Sequence, residues 1–248
     1  LPALAVTGES PFKTVITHGF MVGKDGRKMS KRWKNVVNPD DMVDRFGADA
    51  FRLYEMFIGP FENTTPWNTD GVVGTRRFVE KVWRQKEKLK SEINESLENP
   101  LNKLIKKVEA DIENFKFNTV VSAMMMFANE MDKADFVGVD QFKTFLKILS
   151  PCAPHVAEEL WNEIDSSQNS IHISDWPKFD EEKIVDSEIT LVLQVNGKVR
   201  DKIKVSINIT EQRAEKIARE REKVAKFLEG KKVQNIIFVP GRLINFVV

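Results

Sequence analysis

The chain has 248 residues, 42% hydrophobic and 30% charged, with a formal net charge of +1, which fits a soluble globular protein of one large or two to three small domains. No apolar run reaches the ~20 residues of a membrane span, and the opening Leu1-Pro2-Ala3-Leu4-Ala5-Val6 lacks the basic flank of a signal peptide. A single cysteine, Cys152, excludes an internal disulfide and a cysteine metal cluster; three scattered histidines predict no metal site, and the cytoplasm is the expected compartment.

In chain order, Lys13 to Thr17 is β-branched and short and predicts a strand, with Phe20-Met21-Val22 extended after it. Next comes Gly23-Lys24-Asp25-Gly26-Arg27-Lys28-Met29-Ser30-Lys31-Arg32, two glycines and five cationic side chains in ten positions. Such a loop suits a polyphosphate, because ammonium groups neutralise phosphate and glycine lets backbone N–H groups approach. Asn38-Pro39-Asp40-Asp41 reads as cap, first helical position and acidic first turn, with Gly47 as the stop. Asp49 is expected to cap a second helix that ends at Gly59-Pro60. Asp49 and Arg52 are the functional suspects on it.

Residues 61–69 read as a loop, and Asp70 is expected to cap a long helix fading into the charged run from Gln85 to Lys90. Further helices are predicted from Asn99-Pro100, near Asn118, around Phe142 to Leu149, and from Pro154. Short connections between them predict an antiparallel bundle. Residues 171–188 read as an acidic linker with Trp176 tucked against the bundle.

The apolar period then changes. Ile189 to Val195 and Lys198 to Ile207 predict two strands around an Asn196-Gly197 type I′ turn. Thr210 is expected to cap one helix closed by Gly230. Val233 to Val239 and Leu243 to Val248 add two strands, a ββαββ domain. The near-neutral total hides an uneven distribution. Residues 150–188 hold 2 Lys and Arg against 10 Asp and Glu, whereas residues 189–248 hold 13 against 6. A basic terminal domain favours a polyanionic partner.

The order of residues adds a resemblance. Lys28-Met29-Ser30-Lys31-Arg32 resembles the KMSKS signature of class I aminoacyl-tRNA synthetases, with arginine where the family usually has serine. Asn35 to Asp41, Gly47 to Tyr54, and Leu149-Ser150-Pro151-Cys152-Ala153-Pro154-His155 are also similar to that family. Leu193 to Asp201 and Val239 to Asn245 resemble the C-terminal domain of bacterial leucyl-type members.

The resemblance implies a mainly α chain with an α+β tail. Residues 1–60 would be the end of a catalytic α/β domain, 61–170 a helical bundle of the anticodon-binding type, and 189–248 a tRNA-binding domain. It implies ATP, with Mg2+ carried by the nucleotide. Lys31 and Lys28 would be catalytic, and Lys28, Met29, Ser30 and Lys31 would contact ATP. It also implies tRNA(Leu) as partner, through Lys198, Arg200, Lys202, Lys204 and Arg242, and leucine as substrate. His18-Gly19 does not spell the family's HIGH motif. The chain is therefore expected to be a C-terminal portion or smaller subunit, inactive alone. An isoleucyl- or valyl-type synthetase and a non-catalytic tRNA-binding module are the alternatives.

Overall fold

The computed structural model describes residues 6–164, 169–185 and 188–248, and the chain divides into two compact units, Leu1–Ile184 and Val185–Val248. In the first unit, β1 (Met21–Val22) pairs in parallel with β2 (Thr65–Pro66). The strand expected at residues 13–17 does not form. Val15 and Ile16 lie exposed, with no neighbouring strand among the described residues to take their backbone groups.

Helix α1 (Pro39–Phe46) starts as read, with the Asn38 side chain accepting from the Asp40 N–H. Gly47 ends it at φ 88°, a left-handed value that glycine adopts without a Cβ clash. Helix α2 (Ala48–Phe57) follows at once, with Gly47 rather than Asp49 at its cap. Helix α3 (Thr69–Arg84) is capped by Asn68, not Asp70, because the Asn68 side-chain Oδ1 accepts from the Asp70 N–H. Two cores meet on α2. Tyr54 joins Met42, Trp67 and Val72, while its neighbour Leu53 enters the large bundle core.

The bundle comprises α4 (Glu95–Glu113), α5 (Phe117–Lys133), α6 (Val139–Leu149) and α7 (Pro154–Ile164). Helix α4 begins four residues before the expected Asn99-Pro100 start, and Pro100 lies inside it. Tertiary contacts decide this. The Asn94 side chain accepts from the Ser96 N–H and donates to the Phe136 carbonyl. Gln141 binds both backbone groups of Asn94 from α6. Of the methionine run, Met124 is buried and Met126 exposed, a core position and a surface one. The charged run after α3 ends in a short strand, β3 (Leu89–Lys90), parallel to β4 (Val137–Gly138).

The stretch expected as an acidic linker with Trp176 against the bundle packs as a strap through residue 184. Ile171 is buried, and Trp176 and Phe179 pack on the bundle core. The Asp180 N–H donates to Asn102, and Lys106 and Lys183 pair with Glu181 and Glu98. One pair sets a strap acid on a bundle lysine and the other a strap lysine on a bundle acid, and only 186–187 of that reading lie outside the described residues. The strap carries a one-turn helix, α8 (Glu181–Ile184).

The second unit contains β5 (Glu188–Val195), β6 (Lys198–Ser206), α9 (Glu211–Glu220), α10 (Glu222–Leu228), β7 (Asn235–Val239) and β8 (Leu243–Val247), with sheet order β6-β5-β8-β7. Asn196 and Gly197 both have positive φ, 50° and 73°, as a type I′ turn requires. The single helix expected here is broken at Arg221, which takes an extended backbone while its guanidinium binds Asp201 at 2.9 Å. Leu191, Leu193, Val195, Ala214, Ala218, Val224 and Phe246 form this unit's own core. No helix among the described residues is long and apolar enough to cross a membrane.

The crossing of α2 and α3 is tight. A Cβ added at Gly71 would meet the Tyr54 ring at 2.4 Å. That ring cannot swing aside, because its hydroxyl accepts from the Asn68 N–H at 2.8 Å and its face meets Trp67 edge-on at 4.9 Å. Alanine gains up to ~1 kcal/mol in helix propensity, but overpacking costs about 1–3 kcal/mol. Gly71→Ala is therefore expected to lower the urea midpoint of the first unit.

Candidate phosphate-binding loop and basic terminal face

The signature loop is closed at its base by two backbone bonds, Gly23 N–H to Arg27 carbonyl (2.8 Å) and Gly26 N–H to Gly23 carbonyl (2.9 Å). Gly26 turns at φ 73°. Asn35 staples the loop from behind. Its side chain accepts from the Ser30 N–H (2.9 Å) and donates to Asp25 Oδ1 (3.2 Å) and the Arg27 carbonyl (3.4 Å). The Arg27 N–H bond, then the Asn35 side chain, hold the exposed Asp25 carboxyl below the usual carboxylate range. Met29 packs beside the Trp67 core and anchors the centre of the signature.

Lys28 and Lys31 are both exposed, with the Lys28 ammonium 5.1 Å from the Phe20 ring centroid. Lys31 opens a short 3-10 turn, Lys31–Trp33, ended by Lys34 in the left-handed region. Ser30 Oγ is buried and lacks a hydrogen-bond partner among the described residues. A buried hydroxyl without a partner costs about 1–3 kcal/mol, and a phosphate oxygen is an acceptor that would satisfy it. Trp33, a second unusual residue beside the signature whose role its sequence context leaves open, acts as a platform. The guanidinium carbons of Arg27 and Arg32 lie 4.7 and 5.2 Å from its ring centroid. Arg32, the departure from the signature, is thus held by cation–π attraction. Exposed lysines, a partnerless hydroxyl and a stapled backbone fit a nucleotide's phosphate tail.

Asp49 and Arg52 are clamps, not reactive groups. The Asp49 carboxylate accepts from the Val156 N–H (2.7 Å), the His155 N–H (3.3 Å) and the His155 ring Nδ1 (2.7 Å). Arg52 donates to the Pro151 and Cys152 carbonyls at 3.0 and 3.3 Å. Burial pushes the Cys152 thiol up to about 11 despite the Arg52 charge, so it stays protonated at neutral pH.

The five basic residues nominated for tRNA contact in the terminal unit do not share one face. Pairing skips Arg200, since Val199 faces Gln194 and Asp201 faces Leu193. This bulge turns Arg200 onto Phe227, 3.5 Å from ring centroid to guanidinium carbon. Lys202 and Lys204 pair with Val192 and Thr190 on the side away from the helices. Lys198 stands exposed at the hairpin end and Arg242 in the β7–β8 turn.

Comparison with known proteins accords with this geometry. Residues 1–67 match the family described as tRNA synthetases class I (I, L, M and V), and residues 94–216 match the anticodon-binding domain of tRNA ligase. The chain belongs to the class I aminoacyl-tRNA synthetases. The anticodon-domain match runs past residue 184, where the first compact unit ends. Among solved structures, the agnB2 LeuRS of Agrobacterium radiobacter K84, in a ternary complex with tRNA and LeuAMS, is similar over 99% of this chain and 35% of its own, at 27% identity and TM-score 0.71. The chain thus spans about a third of that synthetase. A methionyl-tRNA synthetase of Mycobacterium tuberculosis with methionyl-adenylate overlaps 65% of this chain and 40% of its own, at 16% identity and TM-score 0.48.

The Asp25 bonds give the loop a pH dependence. A carboxyl held low stabilises the turn above its ordinary titration range, and that contribution is lost as pH falls through the depressed value. Acidification is therefore expected to move the Arg27 and Ser30 amide signals in NMR. Asp25→Asn should abolish that titration, and Asn35→Ala should show the loosened loop at every pH.

Proposed function

We propose that this chain serves leucine–tRNA ligation, in which leucine and ATP form leucyl-adenylate and leucine then passes to tRNA(Leu). The stapled loop carries this reading. It presents Lys28 and Lys31 outward and holds the Ser30 hydroxyl without a partner. The family membership supports the chemistry, and the likeness to the LeuRS structure over nearly the whole chain supports leucine as the amino acid.

Bound ATP would supply the adenylyl group that joins the leucine carboxylate and would release pyrophosphate, with Mg2+ held through the nucleotide. Lys31 then offsets charge that develops on the departing pyrophosphate, and Lys28 neutralises the phosphate tail. Ser30 Oγ donates to a phosphate oxygen. Trp33 keeps the Arg27 and Arg32 charges beside the loop. In the terminal unit, Lys198, Arg200, Lys202, Lys204 and Arg242 contact tRNA phosphates, which position RNA without reading its sequence. The described residues hold no sheet large enough for a nucleotide-binding fold, so adenylate formation requires residues beyond these.

Pyrophosphate exchange tests the reading. The chain alone should give none, and addition of a leucyl-type nucleotide-binding portion should restore leucine-dependent exchange. Lys31→Ala should lower the restored rate about 100-fold or more. Preference for isoleucine or valine would overturn the leucine assignment. RNA binding without restored exchange would leave a binding module. tRNA affinity should fall steeply with salt, and Lys202→Ala and Lys204→Ala should each flatten that slope by about one.

A further inference from the structure

A cavity of about 270 Å3 lies away from the signature loop, lined by Arg52, Glu55, Met56, Gly59, Phe61 and Phe117. A second lobe of the same volume adjoins it, sharing Glu55, Gly59 and Phe61. The wall is aromatic. Phe61 meets Phe117 edge-on at 5.9 Å and Phe115 at 5.8 Å, and Phe115 meets Phe117 at 6.0 Å. Phe115 is 40% exposed and holds φ 55°, a left-handed value rarely adopted by bulky residues. That φ belongs to the turn that closes α4, where the Lys116 N–H reaches the Asp111 carbonyl at 2.8 Å, and it sets the Phe115 ring beside the cavity.

The polar groups are as specific. Glu55 and Arg52 stand exposed at the cavity's rim; Glu55 has no hydrogen-bond or ion-pair partner among the described residues, and its partial desolvation raises its carboxyl above the usual range against the pull of Arg52. Arg52 spends Nε and Nη2 on the Cys152 and Pro151 carbonyls, which leaves Nη1 without a partner among the described residues. A carboxylate acceptor and a guanidinium donor therefore stand one helical turn apart beside aromatic faces.

That pattern selects among ring ligands. Aromatic side chains stack unpaired RNA bases, and polar groups then read their Watson–Crick edges. Guanine places two N–H donors side by side, next to the O6 acceptor. Adenine and cytosine would turn a ring-nitrogen lone pair toward the carboxylate. Uracil offers one N–H between two carbonyls. We propose that this cavity receives an unstacked guanine of bound RNA, stacked on Phe61 and flanked by Phe117 edge-on, with Glu55 accepting from N1–H and N2–H and Arg52 donating to O6. The assignment rests on the tRNA-binding reading and adds a base-reading site to it.

The test is aromatic NMR of the full chain titrated with GMP, CMP and ribose 5-phosphate. GMP is expected to move the Phe61 and Phe117 ring signals saturably, about tenfold more tightly than CMP, and ribose 5-phosphate should leave them in place. Glu55→Gln keeps the shape but offers one acceptor oxygen, and should remove the preference while the unliganded ring signals stay unchanged. Phe117→Leu, as a second variant, should weaken GMP and CMP alike. Equal responses to GMP and ribose 5-phosphate would overturn the proposal. So would no response to GMP, a response to an arginine-bearing peptide instead, or a preference that survives Glu55→Gln. Intact tRNA binding with silent rings would remove this pocket alone, whereas loss of all tRNA binding by the wild-type chain would remove the broader reading.

Discussion

The first unit depends on one clamp. Asp49 and Arg52 sit a turn apart on α2 and reach across to the 151–156 turn. Asp49 acts as an N-cap from a distance. Its carboxylate satisfies two of the first free N–H groups of α7, where the helix dipole also favours negative charge. Arg52 takes two carbonyls of the same turn. With Leu53 in the bundle core and Tyr54 in the loop-side core, four residues in six positions of α2 tie the signature loop's support to the helices behind it. Removal of Asp49 would leave those N–H groups inside a packed junction without their acceptor, a cost of about 1–3 kcal/mol.

The loop gains order from this support. Its centre is pinned by Met29 in the Trp67 core, and its back by Asn35. The cations remain exposed while the N–H groups of Gly23, Gly26, Arg27 and Ser30 are satisfied by the loop's own carbonyls and by the Asp25 and Asn35 side chains. The arginine that departs from the usual signature is compatible with the site because Trp33 stacks it. The two unfamiliar residues explain each other, which neither did alone.

Local signals were legible where they were strong and unopposed. The Asn38-Pro39 start of α1, the Gly47 stop and the Asn196-Gly197 turn all form as their chemistry dictates. Signals failed where distant residues outvoted them. Asn99-Pro100 reads as a helix start, yet Gln141 and Phe136 fix Asn94 as the cap. Residues 13–17 have strand-forming side chains but no partner strand among the described residues. The break at Arg221 follows from its pairing with Asp201, twenty residues away. The loop's lysines were legible as a motif, but the roles of Asn35 and Trp33 were not, because those roles exist only once the chain folds back. The bulge at Arg200 was equally hidden, since strict alternation gives no sign of a skipped residue.

The central claim is that α2 couples the loop-side core to the bundle, so that the stapled loop stands on a rigid base. Amide hydrogen exchange on Asp49→Ala tests it most directly. Coupling predicts that protection falls together in α1, α2 and the first turn of α7, while the α4–α5 core keeps its own. Unchanged exchange in α2 and at Val156, with the variant as stable as the original, would contradict it.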